Sequence, residues 1–521
     1  ERIVALTEQI RELATPWLSR LWHALAERFD ETQADRLADT YGRAFPDDWV
    51  RYTSTNGAVR AIEMLERLSG KRSVIAGFHE RTSGDMVLRL YQAVNVYLTD
   101  ILPVLGNFGL SVKDSVATTV NSRGGALHID TFRLSGTKGA CTRQQLIDGA
   151  DRMIEGIESV FHGDVSSDPL NALVLTSGLT WQEVDVIRGL ARYAGQLHIK
   201  LSTPRIQEIL LQHPITCSTL IKLFHARFDP DLTGDRAQAI VAANEAVLHE
   251  LRQIISHDAD LIISALYNLM AAAVRTSFYR TDRKLYSVSF KFDCSEVKSM
   301  GVGRPMWEIY VHSREVEGVH LRFGMVARGG LRWSDRDDFR TEVLSLATTQ
   351  QVKNVVIVPT GSKGGFYLKQ ASSDPAERRR QADYHYQTFI NGLLDVTDNS
   401  VEGQIVKPPR VYCHDGDDAY LVVAADKGTA HLSDTANAIS TKRGFWLDDA
   451  FASGGSNGYD HKGVGITARG AWKLVRRHFA ELGIDPYSTP FTVIGIGDMG
   501  GDVFGNGLIE SPHAKLKAAF N

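Results

Sequence analysis

The alternation of hydrophobic and polar residues changes its period along the chain, and each change predicts a different kind of structure. Residues 1–78 carry apolar residues at helical spacing between charged ones, and Pro46-Asp47-Asp48-Trp49 marks the start of one helix. In residues 79–140 the pattern changes to short apolar runs, which are typical of strands. Residues 141–284 return to helical stripes, one of which begins at a capping box from Thr180 to Glu183. Two helical segments are therefore expected to flank a small α+β module.

The predicted α+β module has the order strand, helix, strand, strand. We expect strands at Met86–Tyr91, Leu110–Val120 and Ala126–Leu134, a helix at Thr99–Phe108, and a hairpin turn at Arg123-Gly124-Gly125. The helical stripes on either side of it are more typical of packing faces than of cofactor sites.

The second half of the chain predicts an α/β architecture. Residues 285–485 open with two alternating runs, Tyr286–Phe292 and Trp307–His312, which predict a pair of strands. Helical spacing from Phe339 to Ala347 and the apolar run Val355–Val358 then predict a helix followed by a buried strand. Residues 486–521 add one more strand before a cluster of glycines. The fold class is accordingly α/β and multidomain, with a helical segment at the N-terminus.

Three cations among glycines form the first candidate site. Arg328 precedes Gly329-Gly330, Lys353 closes the predicted helix, and Lys363 lies between glycines in a predicted loop, Thr360-Gly-Ser-Lys-Gly-Gly. Ligands of α/β sheets collect at the carboxyl ends of strands, and glycine lets a substrate approach the backbone closely. We therefore expect these cations to bind a small dianion. Burial and neighbouring cations would lower the pKa of Lys363 and make it a usable base, whereas a single Lys-Gly-Gly is more often a solvated turn.

A carboxylate at the end of a second predicted strand is the next candidate. Val422–Ala425 predicts a short strand that ends at Asp426, ahead of a glycine turn and a helix. An isolated aspartate in this position is most often a helix cap. The nearby His414-Asp415-Gly416-Asp417-Asp418 combines oxygen and imidazole groups, but one histidine with clustered acids is commonly a solvated loop. We predict no metal site there.

The third candidate is a glycine fingerprint near the end of the chain. A strand beginning at Phe491 leads into Gly495-Ile-Gly497-Asp498-Met499-Gly500, and a helix is expected to begin near Gly501. In such an arrangement the glycines allow a tight turn, and the helix N-terminus receives a pyrophosphate. Residues 486–521 therefore predict the beginning of a Rossmann-type nucleotide-binding domain. The acidic residue expected on the ribose would fall at or beyond Asn521, so the choice between NAD and NADP is not encoded here.

Together these motifs resemble the catalytic region of the large NAD-dependent glutamate dehydrogenases of bacteria, over residues 285–521 and more weakly upstream. The resemblance implies that Arg328 and the paired glycines after it hold the side-chain carboxylate of the substrate. It implies that Lys353 holds the α-carboxylate, that Lys363 is the catalytic lysine, and that Asp426 relays protons to the reacting nitrogen. Shorter glutamate dehydrogenases normally carry lysine at the position of Arg328; arginine retains the charge, and its reach differs.

The resemblance further implies oxidative deamination of L-glutamate to 2-oxoglutarate and ammonia with NAD, or the reverse reaction, in a homo-oligomer such as a tetramer or hexamer. Residues 79–140 resemble the ACT-type modules that this branch carries, and such modules bind amino acids in many regulated enzymes. An amino-acid effector is therefore one interpretation of this module, and assembly contacts are the other.

Composition narrows the class of protein but adds no site. A hydrophobic content of 43%, a charged content of 23% and a net charge of −4 argue against partnership with nucleic acid or an anionic membrane. The most apolar helix, Leu261–Val274, is shorter than the roughly 20 residues that cross a bilayer. The few, widely spaced cysteines favour a reducing compartment, and hence the cytoplasm. They are Cys141, Cys217, Cys294 and Cys413.

Two other functions remain open at this stage. A leucine, valine or phenylalanine dehydrogenase of the same superfamily has no need of a charge at Arg328, which favours glutamate as the substrate. A regulatory or assembly fragment is the alternative from a different class, because residues 1–284 hold no candidate catalytic group. The chain begins at Glu1 within a helical pattern and ends at Asn521, so we expect an internal portion of a longer polypeptide that lacks most of its nucleotide domain.

Overall fold

The structure is a computed structural model that describes residues 15–70, 72–81, 84–135, 141–282, 285–301, 303–353, 360–426, 431–459, 461–497 and 499–520. It is a mixed α/β molecule with helical segments at the N-terminus and in the middle, as predicted. No helix of the described residues is both long enough and apolar enough to span a membrane.

Within residues 15–70, four helices form the described part of the N-terminal segment and pack on one face of a small sheet. Their bounds are α1 (Trp17–Ala26), α2 (Glu31–Tyr41), α3 (Asp47–Tyr52) and α4 (Thr55–Glu66). Helix α3 begins directly after Pro46, as predicted, because proline suits the start of a helix. Leu21, Leu37 and Ile62 of these helices share one buried cluster with Ile129 of the sheet.

The predicted α+β module is a four-stranded antiparallel sheet with one helix. Its elements are β1 (Val74–Glu80), β2 (Met86–Gln92), α5 (Leu98–Asn107), β3 (Val112–Ser122) and β4 (Gly125–Leu134), and the strand order is β1-β2-β4-β3. Three strands and the helix match the prediction. Strand β1 was missed, and the predicted boundary at residue 78 falls inside it. Helices cover both faces of this sheet, so β1 is a continuous apolar run without the alternation that identifies a half-exposed strand.

The central helical segment follows. It contains α6 (Arg143–Asp148), α7 (Ala150–His162), a 3₁₀ helix (Pro169–Ala172), α8 (Leu173–Thr176), α9 (Trp181–Gln196), α10 (Thr203–Gln212), α11 (Pro214–Phe228), α12 (Arg236–Leu251) and α13 (His257–Ala272). The predicted capping box is present at the start of α9. The Thr180 side chain accepts from the Glu183 amide, and the Glu183 carboxylate accepts from the Thr180 amide.

An eight-stranded mixed sheet carries the candidate chemistry. Its strands are β5 (Ala273–Thr276), β6 (Val288–Asp293), β7 (Trp307–His312), β8 (Val316–Arg322), β9 (Ala327–Ser334), β10 (Thr360–Leu368), β13 (Val422–Ala425) and β14 (Ala452–Ser453), in the order β14-β13-β9-β10-β8-β7-β6-β5. The predicted pair β6 and β7 is antiparallel. Because β5 joins this sheet, the sheet begins before the predicted boundary at residue 285.

Two long helices cover opposite faces of this sheet. Helix α14 (Phe339–Lys353) packs on one face, and helix α15 (Pro375–Leu394) packs on the other. A small hairpin of β11 (Asn399–Val401) and β12 (Gln404–Val406) follows. The remaining elements are α16 (Ser433–Lys442), a 3₁₀ helix (Asp448–Ala450), α17 (His461–Val464), α18 (Ile466–Glu481), β15 (Phe491–Ile496), α19 (Asp502–Gly505), a 3₁₀ helix (Asn506–Ile509) and β16 (Ala514–Phe520).

One prediction about the region of Lys363 is wrong. The predicted loop from Thr360 to Gly365 is the first part of strand β10. Its glycines are explained by packing, because a β-carbon on Gly364 would lie 2.3 Å from Leu331 Cδ2 and one on Gly365 would lie 2.6 Å from Val343 Cγ2. The predicted strand Val355–Val358 lies outside the described residues.

Candidate active site

The register of three parallel strands places the candidate residues on one face of the large sheet. Strand β9 lies between β10 and β13, and Arg328 is opposite both Gly361 and Val422. Lys363 is two residues beyond Gly361, and Asp426 is four residues beyond Val422. Since alternate residues of a strand point to the same face, the side chains of Arg328, Lys363 and Asp426 share a face.

Lys363 and Asp426 are in direct contact. The Lys363 ammonium donates a hydrogen bond to Asp426 Oδ2 at 2.9 Å. Both side chains are partly buried, with exposed fractions of 20% and 22%, so the pair remains accessible to a ligand. The sequence had placed Lys363 beside cations, whereas the contact found here is with a carboxylate. This ion pair joins residues 63 positions apart in the chain.

Arg332 is a further member of the site, and sequence reasoning missed it. Its Nη2 lies 3.8 Å from Asp426 Oδ1, and its Nη1 donates to Glu342 Oε1 at 2.5 Å. Ser334 donates to the other oxygen of Glu342 at 2.7 Å. Arg332 is two residues beyond Gly330 and shares its face of β9, so strand periodicity could have indicated it.

A glycine directly after Arg328 lets the backbones of strands β9 and β10 lie close together. A β-carbon on Gly329 would lie 1.6 Å from the carbonyl oxygen of Ser362, which no side chain could tolerate. Gly329 and Gly330 are both buried. Their absence of bulk therefore lets β9 and β10 pair closely beneath Lys363, in addition to any approach of substrate.

Of the two cations predicted to bind carboxylates, the structure describes the side chain of Arg328 but not that of Lys353. The Arg328 side chain is exposed and has no hydrogen-bond or ion-pair partner within the described ranges. Helix α14 ends at Lys353, one turn after Gln350, whose Nε2 lies 3.4 Å from the Arg328 carbonyl oxygen. The end of that helix therefore lies next to the start of β9. The Lys353 side chain itself is outside what the structure describes.

A buried group of charges lies on the opposite face of the sheet. The cations are Arg275, Lys291 and Arg322, and the carboxylates are Asp398, Asp415 and Asp418. Arg322 Nη1 donates to Asp418 Oδ1 at 2.9 Å, and the Lys291 ammonium donates to Asp418 Oδ2 at 2.6 Å. Burial alone would raise the pKa of Asp418, but these two cations outweigh burial and hold it below its usual value.

This charge group corrects the interpretation of the segment around His414. The sequence indicated a solvated loop, yet Asp418 is 4% exposed and Asp415 contacts two buried cations. The segment leads directly into β13, which ends next to Asp426. The buried ion pairs therefore anchor the strand that leads to the Asp426 carboxylate. Within the described residues, no cluster of histidine, cysteine and acidic side chains could hold a metal ion.

The glycine fingerprint adopts a strand, turn, helix, strand order. Strand β15 ends at Ile496, Gly497 has a φ of 136°, and helix α19 begins at Asp502 with Gly501 as its N-cap, as predicted. Strand β16 then pairs in parallel with β15. A β-carbon on Gly495 would lie 1.3 Å from Phe504 Cζ, so glycine is required for the return of the chain over the strand. Met499 and Gly500 lie in the turn, and Asp498 is outside the described residues. Helix α19 is only four residues long.

Comparison with known proteins identifies the family to which the chain belongs. A family profile described as "Bacterial NAD-glutamate dehydrogenase, catalytic domain" matches residues 246–521, more than half of the chain. Glutamate dehydrogenase profiles for helical motif 2, the ACT3 domain and helical motif 3 match residues 24–68, 76–146 and 165–230. The predicted ACT-like module is thereby confirmed; the domain boundaries remain predictions.

The relatives carry the same description. The chain is 42% identical to the NAD-specific glutamate dehydrogenase of Mycobacterium tuberculosis, over 98% of this chain and 33% of that protein. It is 40% identical to that of Halomonas elongata, over 100% of this chain and 33% of that protein. The chain thus spans a third of the length of these relatives. The hetero-hexameric glutamate dehydrogenase of Thermus thermophilus in its leucine-bound form overlaps with a TM-score of 0.27 at 17% identity, over 40% of this chain and 46% of that one. On the family match, the chain belongs to the bacterial NAD-glutamate dehydrogenases.

Proposed function

We propose that the full-length polypeptide containing this chain catalyses the oxidative deamination of L-glutamate to 2-oxoglutarate and ammonia with NAD as the hydride acceptor. The observation that carries the proposal is the 2.9 Å contact between the Lys363 ammonium and the Asp426 carboxylate, beside the exposed Arg328 on the same face. An ammonium and a carboxylate in contact can exchange protons with a substrate nitrogen and with a water molecule.

Substrate binding is assigned to the cations around this pair. Arg328 binds the side-chain carboxylate of glutamate, and its planar guanidinium suits two-point binding of a carboxylate. Lys353 binds the α-carboxylate from the end of α14. Gly329 and Gly330 keep the floor of the site free of side chains. Glutamate is preferred over an apolar amino acid because only glutamate offers a side-chain carboxylate that can pair with the Arg328 guanidinium.

Lys363 and Asp426 divide the proton transfers. Lys363 promotes the addition of water to the imine carbon of the oxidised substrate. Asp426 takes a proton from the reacting nitrogen and returns it to the departing amine. Arg332 places a second cation 3.8 Å from the Asp426 carboxylate.

The coenzyme is assigned to the glycine turn after β15. Gly495, Gly497, Asp498, Met499 and Gly500 are the residues assigned to bind it, and the close approach that glycines permit suits a pyrophosphate. NAD, when bound, supplies the acceptor for the hydride of the substrate Cα. The preference for NAD rests on the names of the relatives.

A direct assay tests the proposal. The full-length polypeptide is expected to form NADH in the presence of L-glutamate, and a parallel reaction with NADP measures the coenzyme preference. Lys363→Ala and Asp426→Asn are each expected to lower kcat by about 100-fold or more, since positioned acid–base groups contribute on this scale. Unchanged rates in both variants would remove the pair from catalysis.

The choice of substrate has its own test. Arg328→Leu is expected to lower kcat/KM for glutamate and to reduce its advantage over norleucine, which lacks the side-chain carboxylate. Arg477→Leu is a matched control, because that arginine of α18 is also exposed and is not assigned to substrate binding. A glutamate preference that survives Arg328→Leu would contradict the assignment of Arg328.

The biological setting follows from the same proposal. The polypeptide acts as a homo-oligomer, a tetramer or hexamer, in the cytoplasm, and amino-acid effectors bind at the ACT-like module. Size measurement in solution and calorimetry with amino acids are the corresponding experiments.

A further inference from the structure

A cavity of about 360 Å³ lies between helices α9 and α10 and the segment that leads into α14. Arg188, Arg192 and Gln196 of α9 line one side of it, and Asp337 and Thr341 line the other. None of these residues belongs to the candidate active site.

One wall of the cavity offers a cation with free donors. The Arg188 guanidinium is already engaged, because it donates to Asp168 at 2.8 Å and to Asp185 at 2.6 Å. In Arg192 only Nε has a hydrogen-bond partner, and it donates to the buried carboxylate of Glu317. Its two terminal nitrogens have no partner within the described residues, and 31% of the side chain is exposed. Arg192 can therefore bind a carboxylate from the cavity.

The opposite wall offers an anion. The Asp337 side chain is exposed, and its carboxylate has no partner in the part of the chain that the structure describes. The neighbouring Asp338 is already paired with Arg336 at 2.7 and 2.8 Å. Gln196 holds this wall in place, because it donates to the Asp337 carbonyl at 2.6 Å and accepts from the Arg340 amide at 3.3 Å.

Both walls face a cavity whose volume of about 360 Å³ is large enough for one small dipolar molecule. Arg192 and Gln196 lie one turn apart on α9, about 6 Å between β-carbons, and Gln196 reaches the backbone of Asp337. A carboxylate and an ammonium on one carbon, with a hydrogen bond at each end, span about 8 Å. Leu170, Leu201 and Ile206 supply apolar lining. We propose that this cavity binds an aliphatic α-amino acid, with its carboxylate on Arg192 and its ammonium on Asp337.

The site is connected to the catalytic pair through α14. Thr341, which lines the cavity, is followed by Glu342, and the Glu342 carboxylate accepts from Arg332. Arg332 in turn lies 3.8 Å from Asp426. A ligand that bridges α9 and the start of α14 restrains this helix and the ion pairs that depend on it. Given the proposed function, on which this step rests, the ligand is expected to lower the KM for glutamate by about fivefold or more, a typical coupling between sites.

Calorimetry on the full-length polypeptide tests the site without relying on catalysis. L-Valine is the probe, and a Lys363→Ala background weakens its binding at the catalytic pair. Isobutyrate and isobutylamine each carry one of its two charged groups, and both are expected to bind at least tenfold more weakly. Asp337→Asn and Arg192→Lys are each expected to weaken valine binding at least tenfold. Asp335→Asn is the matched control, because this exposed carboxylate does not line the cavity.

The possible results separate the two proposals. Absence of valine binding, equal binding of isobutyrate, or insensitivity to Asp337→Asn would each overturn the cavity site. Asp337 is exposed, so its substitution leaves the fold intact and its result can be interpreted directly. Valine binding that depends on Asp337 in a polypeptide without glutamate-dependent NADH formation would uphold the cavity and refute the proposed function. An unchanged glutamate KM at saturating valine would refute the coupling through α14.

Discussion

Acidification is expected to destabilise the large sheet, and the buried His320 is one contributor to this effect. His320 is 1% exposed, and neither ring nitrogen has a hydrogen-bond partner within the described residues. It is opposite Gly364 of β10, and a β-carbon there would lie 3.1 Å from His320 Cδ2. Burial disfavours the charged ring and the Arg322 cation adds repulsion, which Asp418 only partly offsets, so the pKa of His320 falls from 6.5 to about 3.

The magnitude follows from the two proton affinities. Between pH 6.5 and pH 3 the unfolded chain binds a proton at this histidine and the folded chain does not, so stability is lost as the pH falls through this window. For a pKa of 6.5 unfolded and about 3 folded, acidification from pH 7 to pH 5 costs about 2 kcal/mol from this residue alone. His320→Leu, which cannot be protonated, removes that contribution.

Urea denaturation at pH 7 and pH 5 measures the difference. The wild type is expected to lose about 2 kcal/mol more of its free energy of unfolding than His320→Leu over this interval. His249→Leu is the control, because His249 lies on the exposed side of α12 and should leave the pH dependence unchanged. If His320→Leu and the wild type lost equal stability, a neutral buried His320 would be ruled out.

Three further changes test the surroundings of the site. Arg332→Met is expected to lower kcat about tenfold and to move the acid limb of the pH–rate profile to higher pH, because a cation next to a carboxylate favours its ionised form. Arg332→Lys is expected to recover part of both effects. An unchanged pH–rate profile would limit Arg332 to a structural role. Gly329→Ala is expected to lower Tm by several degrees, because the new β-carbon would overlap a backbone oxygen. Gly416→Ala is the control and should leave Tm unchanged, because a β-carbon there would meet no atom within 4 Å. Equal melting temperatures of the two variants would contradict the close pairing of β9 and β10. Lys291→Met is expected to cost about 3 kcal/mol in urea denaturation, since it removes one partner from a buried charge group; a cost below 1 kcal/mol would show that Asp418 does not need it.

The sequence by itself determined most of the local structure and indicated the candidate residues of the site. The order of elements in the ACT-like module, the capping box at Thr180 and the helix start after Pro46 depend on neighbouring residues, so local patterns predict them. Lys363 and Asp426 were chosen from their motifs in the same way, and the structure brings them into contact. Their roles remain proposals.

Only the tertiary structure decided which residues meet. Glycines that predicted a loop around Lys363 belong to strand β10, because their lack of side chains lets Leu331 and Val343 pack against the sheet. The pairing of Arg332 with Glu342 and Asp426 depends on the register of strands that are distant in the chain. The burial of Asp418 likewise depends on distant residues, because Lys291 and Arg322 pair with its carboxylate. Local sequence controls backbone conformation and the division into polar and apolar faces. Contacts between distant residues arise only when the whole sheet assembles, because the register of each strand depends on the packing of all the strands together.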